Sequence, residues 1–163
     1  MLVLRAFLFT LFVPGSVATG IPYLLSVLFP ARVDMGWVHY AGIVFLIVGG
    51  ILYFAGVIRF VVSGKGTPAA WFARQLRFII GEEPTALVAN GIYRRTRNPL
   101  YLGVVSVVIG QAVFAGVTML FVYALVLWPL FHTVVVLLEE PHLRKKYGEQ
   151  YIQYLNSTPR WLG

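Results

Sequence analysis

The sequence predicts an all-α membrane protein: a polytopic helical bundle of about four transmembrane helices, with an interfacial helix and a C-terminal amphipathic helix beside them. Three observations carry that expectation. Of 163 residues, 59% are hydrophobic and only 12% charged, with a mean hydropathy of +0.80, well beyond what a soluble domain of this size tolerates. The apolar residues fall into stretches long enough to cross a hydrocarbon core about 30 Å thick, which takes roughly 20 helical residues. The basic residues gather almost wholly on one side of those stretches.

The first stretch, Leu2 to Phe29, carries Arg5 at its start but exceeds a signal-peptide core of about 7 to 15 residues. It reads as a span bent by Pro14 and Pro22. Val38 to Ser63 is the second span and Val117 to Leu138 the fourth. Between them Leu100 to Ala115 is short and meets the fourth through Gly116 alone, so the two are expected to form an antiparallel helical hairpin. Gly49, Gly50, Gly56, Gly103 and Gly110 are expected to let helices approach closely. With no internal repeat and no low-complexity tail, a single integral membrane domain fills residues 1–163.

The central segment, Gly64 to Asn98, opens with the helix breakers Gly64, Lys65, Gly66, Thr67 and Pro68. From Ala69 to Ile80 the apolar residues Phe72, Leu76, Ile79 and Ile80 share one helical face, with Arg74 and Arg77 opposite. That spacing fits an interfacial helix, a candidate lid, or a loop held to the membrane by Trp71 and Phe78. Glu82 and Glu83 read as part of a solvated loop. Beyond Leu138, Leu143, Tyr147, Tyr151 and Tyr154 fall at helical spacing, predicting one amphipathic helix packed back on the bundle despite Gly148.

Orientation follows from the 13 Lys and Arg. Arg5 precedes the first span, seven lie in the central segment or at its start, and Arg144, Lys145, Lys146 and Arg160 follow the last span. Arg32 alone falls in the first connection, so both termini are expected in the cytoplasm. The net charge of +7 therefore speaks for topology and anionic lipid, not for nucleic acid. The absence of cysteine excludes disulfides, thiolate metal sites and thiol nucleophiles. Three scattered histidines give no metal-ligand spacing; His132, inside the fourth span, reads either as a polar side chain lining the bundle or, more in keeping with single buried histidines, as a hydrogen-bonded structural residue.

Two stretches could carry chemistry. In the first, Asn98 is placed to cap the third span, with Pro99 in its first turn. The helix start beside Arg97 is then either a seat for a carboxylate or merely the site of one more topogenic arginine. In the second, Glu139 and Glu140 lie at the inner end of the last span. Acids near membrane depth ask for a partner, which Arg97 or Arg94 could supply, because the hairpin returns Glu139 to the side of Asn98. That arrangement is either a polar site or an ion pair joining helix ends.

Gly91-x-Tyr93-x-x-x-Arg97-Asn98-Pro99-x-Tyr101-x-Gly103, then the apolar hairpin, then Glu139-Glu140-Pro141-x-Leu143 and Tyr147-Gly148-x-x-Tyr151-x-x-Tyr154 together resemble the membrane methyltransferases. These are the isoprenylcysteine carboxyl methyltransferases and phospholipid N-methyltransferases; the resemblance covers about Gly64 to Trp161, within a cofactor-binding half of about residues 64–163. It implies an S-adenosylmethionine-dependent enzyme acting on a lipophilic or lipidated acceptor, either an isoprenylcysteine-type carboxylate or a lipid amine. It implies cofactor contacts from Tyr93, Arg97, Asn98, Pro99, Tyr101, Glu139 and Glu140, with Arg97 and Glu140 as catalytic candidates. Asn98 stands where isoprenylcysteine enzymes typically have histidine, and Trp71 to Asn90 is longer than in compact bacterial relatives. The competing expectations are an NADPH-dependent sterol-type membrane reductase and a non-enzymatic four-span transporter.

Overall fold

A computed structural model describes residues 2–67 and 82–162; the expected interfacial helix from Ala69 to Ile80 lies outside the described residues. Among these the protein is a bundle of helices without strands. Helix α1 is Leu2–Leu28, α2 Gly36–Val62, α3 Pro99–Ala115 and α4 Thr118–Tyr147, followed by α5, Glu149–Ser157. Helices α1, α2 and α4 are each long and apolar enough to cross a membrane, and α3, at 17 residues, is shorter.

The bend expected in α1 takes the form of a π-helical turn at Ser16–Gly20. There the Ile21 amide bonds Ser16 O instead of Val17 O, and Pro22 has no N–H to offer Ala18 O. Two carbonyls are thus freed inside an apolar bundle, and each finds a donor. Gln111 Nε2 in α3 donates to Ala18 O at 2.6 Å, and the Tyr123 hydroxyl in α4 donates to Val17 O at 3.0 Å. The kink thereby locks α1 to the hairpin.

Helices α2 and α3 touch through glycine. A Cβ at Gly49 would stand 2.7 Å from Gly103 O, one at Gly42 2.6 Å from Gly110 O, and one at Gly56 2.7 Å from a Leu100 methyl. Glycines seven apart on both helices form a seam of backbone contact. Gly50 is a correction to the expected set: a Cβ there would meet nothing within 4 Å, because it points away from the seam that Gly49 occupies.

At one end of the bundle, Gly116 closes the α3–α4 hairpin with φ +66°. Its carbonyl accepts the Val33 amide at 2.8 Å, while the Thr118 amide donates to Ala31 O at 3.0 Å. Arg32 therefore lies against the hairpin tip. At the opposite end Arg97 and Glu140 meet.

That opposite end departs most from expectation. Helix α4 continues past Leu138 through a π-helical turn, Val135–Glu139, into a polar α-helical segment, Glu140–Tyr147. The single amphipathic helix expected across Leu143 to Tyr154 is instead broken at Gly148, whose φ of 55° and ψ of −131° suit glycine and strain other residues. The break turns α5 back so that Tyr151 and Tyr154 pack with Val88 and Tyr93 in one buried cluster.

Candidate active site

A buried carboxylate organises the polar end. The Glu140 side chain is 5% exposed, and its neighbours show how so costly a placement is met. Arg97 Nη1 donates to Oε1 at 2.9 Å. Arg160 grips both oxygens, Nε to Oε1 at 2.7 Å and Nη2 to Oε2 at 3.1 Å, the bidentate fork that a guanidinium makes with a carboxylate. The same bond holds the Arg160 guanidinium above its ordinary pKa. Successive helical residues point about 100° apart, so Glu139, the last residue of the π-helical turn, and Glu140, the first beyond it, face different partners.

Glu139 takes Tyr101, in the first turn of α3, whose hydroxyl donates to Oε1. Pro99 is buried at the first turn of α3. Asn98 stands at the N-cap position but makes no side-chain cap, contrary to expectation. Its side-chain amide nitrogen instead donates to Arg160 O at 3.0 Å, so the side chain is oriented by the chain segment that crosses it. Tyr93 sits in the short helical turn Gly91–Arg94, with its carbonyl accepting the Tyr154 hydroxyl at 2.6 Å. Arg94 is exposed on this turn, leaving the partnership with Glu140 to Arg97.

All seven residues singled out from the sequence, Tyr93, Arg97, Asn98, Pro99, Tyr101, Glu139 and Glu140, line one cavity of about 450 Å³. It extends from these polar groups into the bundle, where Phe9, Val13 and Val17 of α1 face Leu130 and Val134 of α4. Among the described residues, two buried donors on its lining have no hydrogen-bond partner, Arg97 Nε and the Tyr93 hydroxyl. Burial above all, and then the charge fields of Tyr154 and Glu139, push the Tyr93 hydroxyl well above its ordinary pKa, so it stays a donor. An orphaned buried donor costs about 1–3 kcal/mol, and two of them on one cavity fit a ligand that brings acceptor atoms.

Several residues of this end carry no signal in the sequence. Glu83, expected in a solvated loop, is half-buried and bridges to α4: Lys146 Nζ lies 2.5 Å from Oε2 and His142 Nε2 2.9 Å from Oε1. The Tyr147 hydroxyl donates to Pro84 O at 2.8 Å, completing a clasp over the cavity. Arg160 reads in the sequence only as a charge, and no spacing ties it to Glu140. His132 faces outward and does not line the bundle; it is hydrogen-bonded, accepting Trp161 Nε1 at 3.1 Å.

The sequence model described as phospholipid methyltransferase matches residues 37–150. The chain is 30% identical over 133 residues to protein-S-isoprenylcysteine O-methyltransferase A of Arabidopsis thaliana, covering 81% of this chain and 62% of that protein. It is 28% identical over 134 residues to protein-S-isoprenylcysteine O-methyltransferase B of the same plant, covering 82% and 63%. A probable protein-S-isoprenylcysteine O-methyltransferase of Oryza sativa subsp. indica is 28% identical over 130 residues, covering 79% and 63%. The aligned region thus spans a little under two thirds of these relatives. No solved structure matches the chain.

Proposed function

The chain belongs to the phospholipid methyltransferase family, and from that premise we propose that it is an integral membrane methyltransferase. It moves the methyl group of S-adenosylmethionine onto an isoprenylcysteine-type carboxylate, with its polar site and both termini on the cytoplasmic side. The observation that carries this reading is the continuity of one cavity from a charged end to an apolar end inside the bundle. A polar donor and a bilayer-dissolved acceptor need a meeting place of that kind.

S-adenosylmethionine supplies, when bound, an electrophilic methyl carried on a sulfonium. The residues of this chain bind and orient. Arg97 Nε and the Tyr93 hydroxyl offer hydrogen bonds to acceptor atoms of the bound pair, Asn98 and Pro99 form the floor at the start of α3, and Glu139 and Glu140 accept from hydroxyl or amino groups with the lone pairs their present partners leave. Packing of Tyr93, Tyr151 and Tyr154 keeps water from the reacting atoms, so catalysis is by positioning and exclusion.

The carboxylate acceptor is favoured over an amine by proton bookkeeping. A carboxylate is already nucleophilic, whereas an ammonium group must first lose a proton to a base. Among the described residues the three acids on the cavity are all engaged: Glu140 by two arginines, Glu139 by Tyr101, and Glu83 by Lys146 and His142. The names of the plant relatives support the same choice.

The test is calorimetric titration of detergent-purified protein with S-adenosylhomocysteine, followed by labelled methyl transfer to a farnesylated cysteine derivative and to a phospholipid amine. Binding with transfer to the farnesylated carboxylate alone is the expected result. Transfer to the amine alone would overturn the acceptor assignment, and failure to bind would overturn the methyltransferase reading.

A further inference from the structure

Arg160 joins the two halves of the site through main chain and side chain at once. Its guanidinium holds both oxygens of Glu140. Its carbonyl accepts Asn98 Nδ2 at 3.0 Å and the Thr96 hydroxyl at 3.3 Å. One residue earlier, Pro159 O accepts the Arg97 amide at 3.0 Å. One residue later, Trp161 packs at a tilt against Trp128 with ring centroids 4.6 Å apart and donates to His132. The segment after α5 is thus strapped across the polar end of the cavity, anchored on α4 at one side and stitched to the Arg97-Asn98 turn at the other.

Without this strap, Glu140 and the Arg97-Asn98 turn share only the single bond from Arg97 Nη1. A lone guanidinium contact leaves a carboxylate free to rotate, whereas a second, two-pronged one fixes its plane. Arg97 Nη1 and Arg160 Nε converge on the same oxygen, Oε1, so the strap also governs where the Arg97 side chain sits and where its unpartnered Nε points.

We infer that Arg160 is a positioning residue of the methyl-donor site: it acts through Glu140 and Arg97 to set the geometry that receives the donor. This rests on the methyltransferase reading. Arg160 itself is 32% exposed in its side chain, does not line the cavity, and touches no reacting atom.

The experiment measures S-adenosylhomocysteine affinity by calorimetry, together with donor and acceptor KM, for wild type, Arg160→Met, Arg160→Lys, Glu140→Gln and the double variant Glu140→Gln/Arg160→Met. A thermal unfolding midpoint is taken for each in the same detergent. Hydrogen bonds to charged groups correspond to about tenfold or more in binding. Arg160→Met is therefore expected to weaken analogue binding by about tenfold and raise donor KM, with acceptor KM unchanged. Arg160→Lys keeps the charge without the fork and should recover only part of the loss. In the Glu140→Gln background the Arg160→Met change should add little, because the residue it acts through is already altered.

Wild type that binds the analogue while Arg160→Met binds it equally well would overturn this inference and leave the methyltransferase reading standing. So would losses that multiply in the double variant, or an acceptor KM that rises in step with the donor KM, both of which mark a general structural role. A folded wild type that fails to bind would overturn the methyltransferase reading and this inference with it.

Discussion

Among the described residues, two side chains are placed against their own interest. The Tyr93 hydroxyl and Arg97 Nε are buried without partners, a cost that a ligand-free protein would avoid. Tyr93→Phe is therefore expected to leave the unfolding free energy unchanged or raise it, by as much as ~1 kcal/mol, while weakening S-adenosylhomocysteine binding. A variant that loses stability and keeps affinity would contradict the assignment. Glu140→Gln should behave oppositely and lower both. It strips the counter-charge from Arg97, which is 10% exposed, and breaking a buried pair from one side costs about 3–5 kcal/mol; chemical denaturation in detergent measures it. Residue type alone left Arg97 and Glu140 open between a polar site and an ion pair joining helix ends, and it was the resemblance of their motifs, Tyr93 included, that singled them out. The bonds they make were not: Asn98 sits at the cap position and serves Arg160 instead, 62 residues away in the chain.

Among the elements, the helix seams are set by glycine and the site by helix defects. Gly49→Leu would drive a side chain into the Gly103 carbonyl and the backbone amide of Val107, where a Cβ alone would stand within 2.8 Å. Gly50→Leu would project from the open side of the same helix. The first should cost about 2–3 kcal/mol or prevent folding, and the second should be close to neutral; unfolding midpoints of the two variants, compared with wild type, distinguish the seam from a general tolerance. Gly148→Ala should cost about 1–3 kcal/mol from backbone strain and loosen α5. The loss of the Tyr154 to Tyr93 bond would then appear as faster exchange or proteolysis of that segment. Spans and hairpin were readable from apolar length and from Gly116. The π-helical turns at Ser16–Gly20 and Val135–Glu139 were not, because in stretches this apolar the phase shift that an extra residue brings has no polar stripe against which to show.

For the whole molecule, the basic residues and the cavity describe one polarity. Arg32 lies at the hairpin-tip end beside Val117, and the charged end carries Arg97, Lys146 and Arg160. Since the chain lacks cysteine, single Asp34→Cys and Asn156→Cys variants give a clean test of orientation. An impermeant maleimide applied to intact cells should label the first and reach the second only after permeabilisation; the reverse pattern would invert the proposed topology. Apolar length and charge asymmetry are local properties, and from them the sequence by itself determined an all-helical bundle and its hairpin, while the resemblance carried by the Arg-Asn-Pro and Glu-Glu motifs named the seven residues that line one cavity. What only the tertiary structure decided is how that cavity is held. The clasp from Glu83 to α4, the fold-back of α5 at Gly148 and the grip of Arg160 on Glu140 join segments far apart in the chain, and such pairings are chosen by the shape of the packed bundle and by the cost of leaving a buried charge alone, neither of which is written in any local spacing.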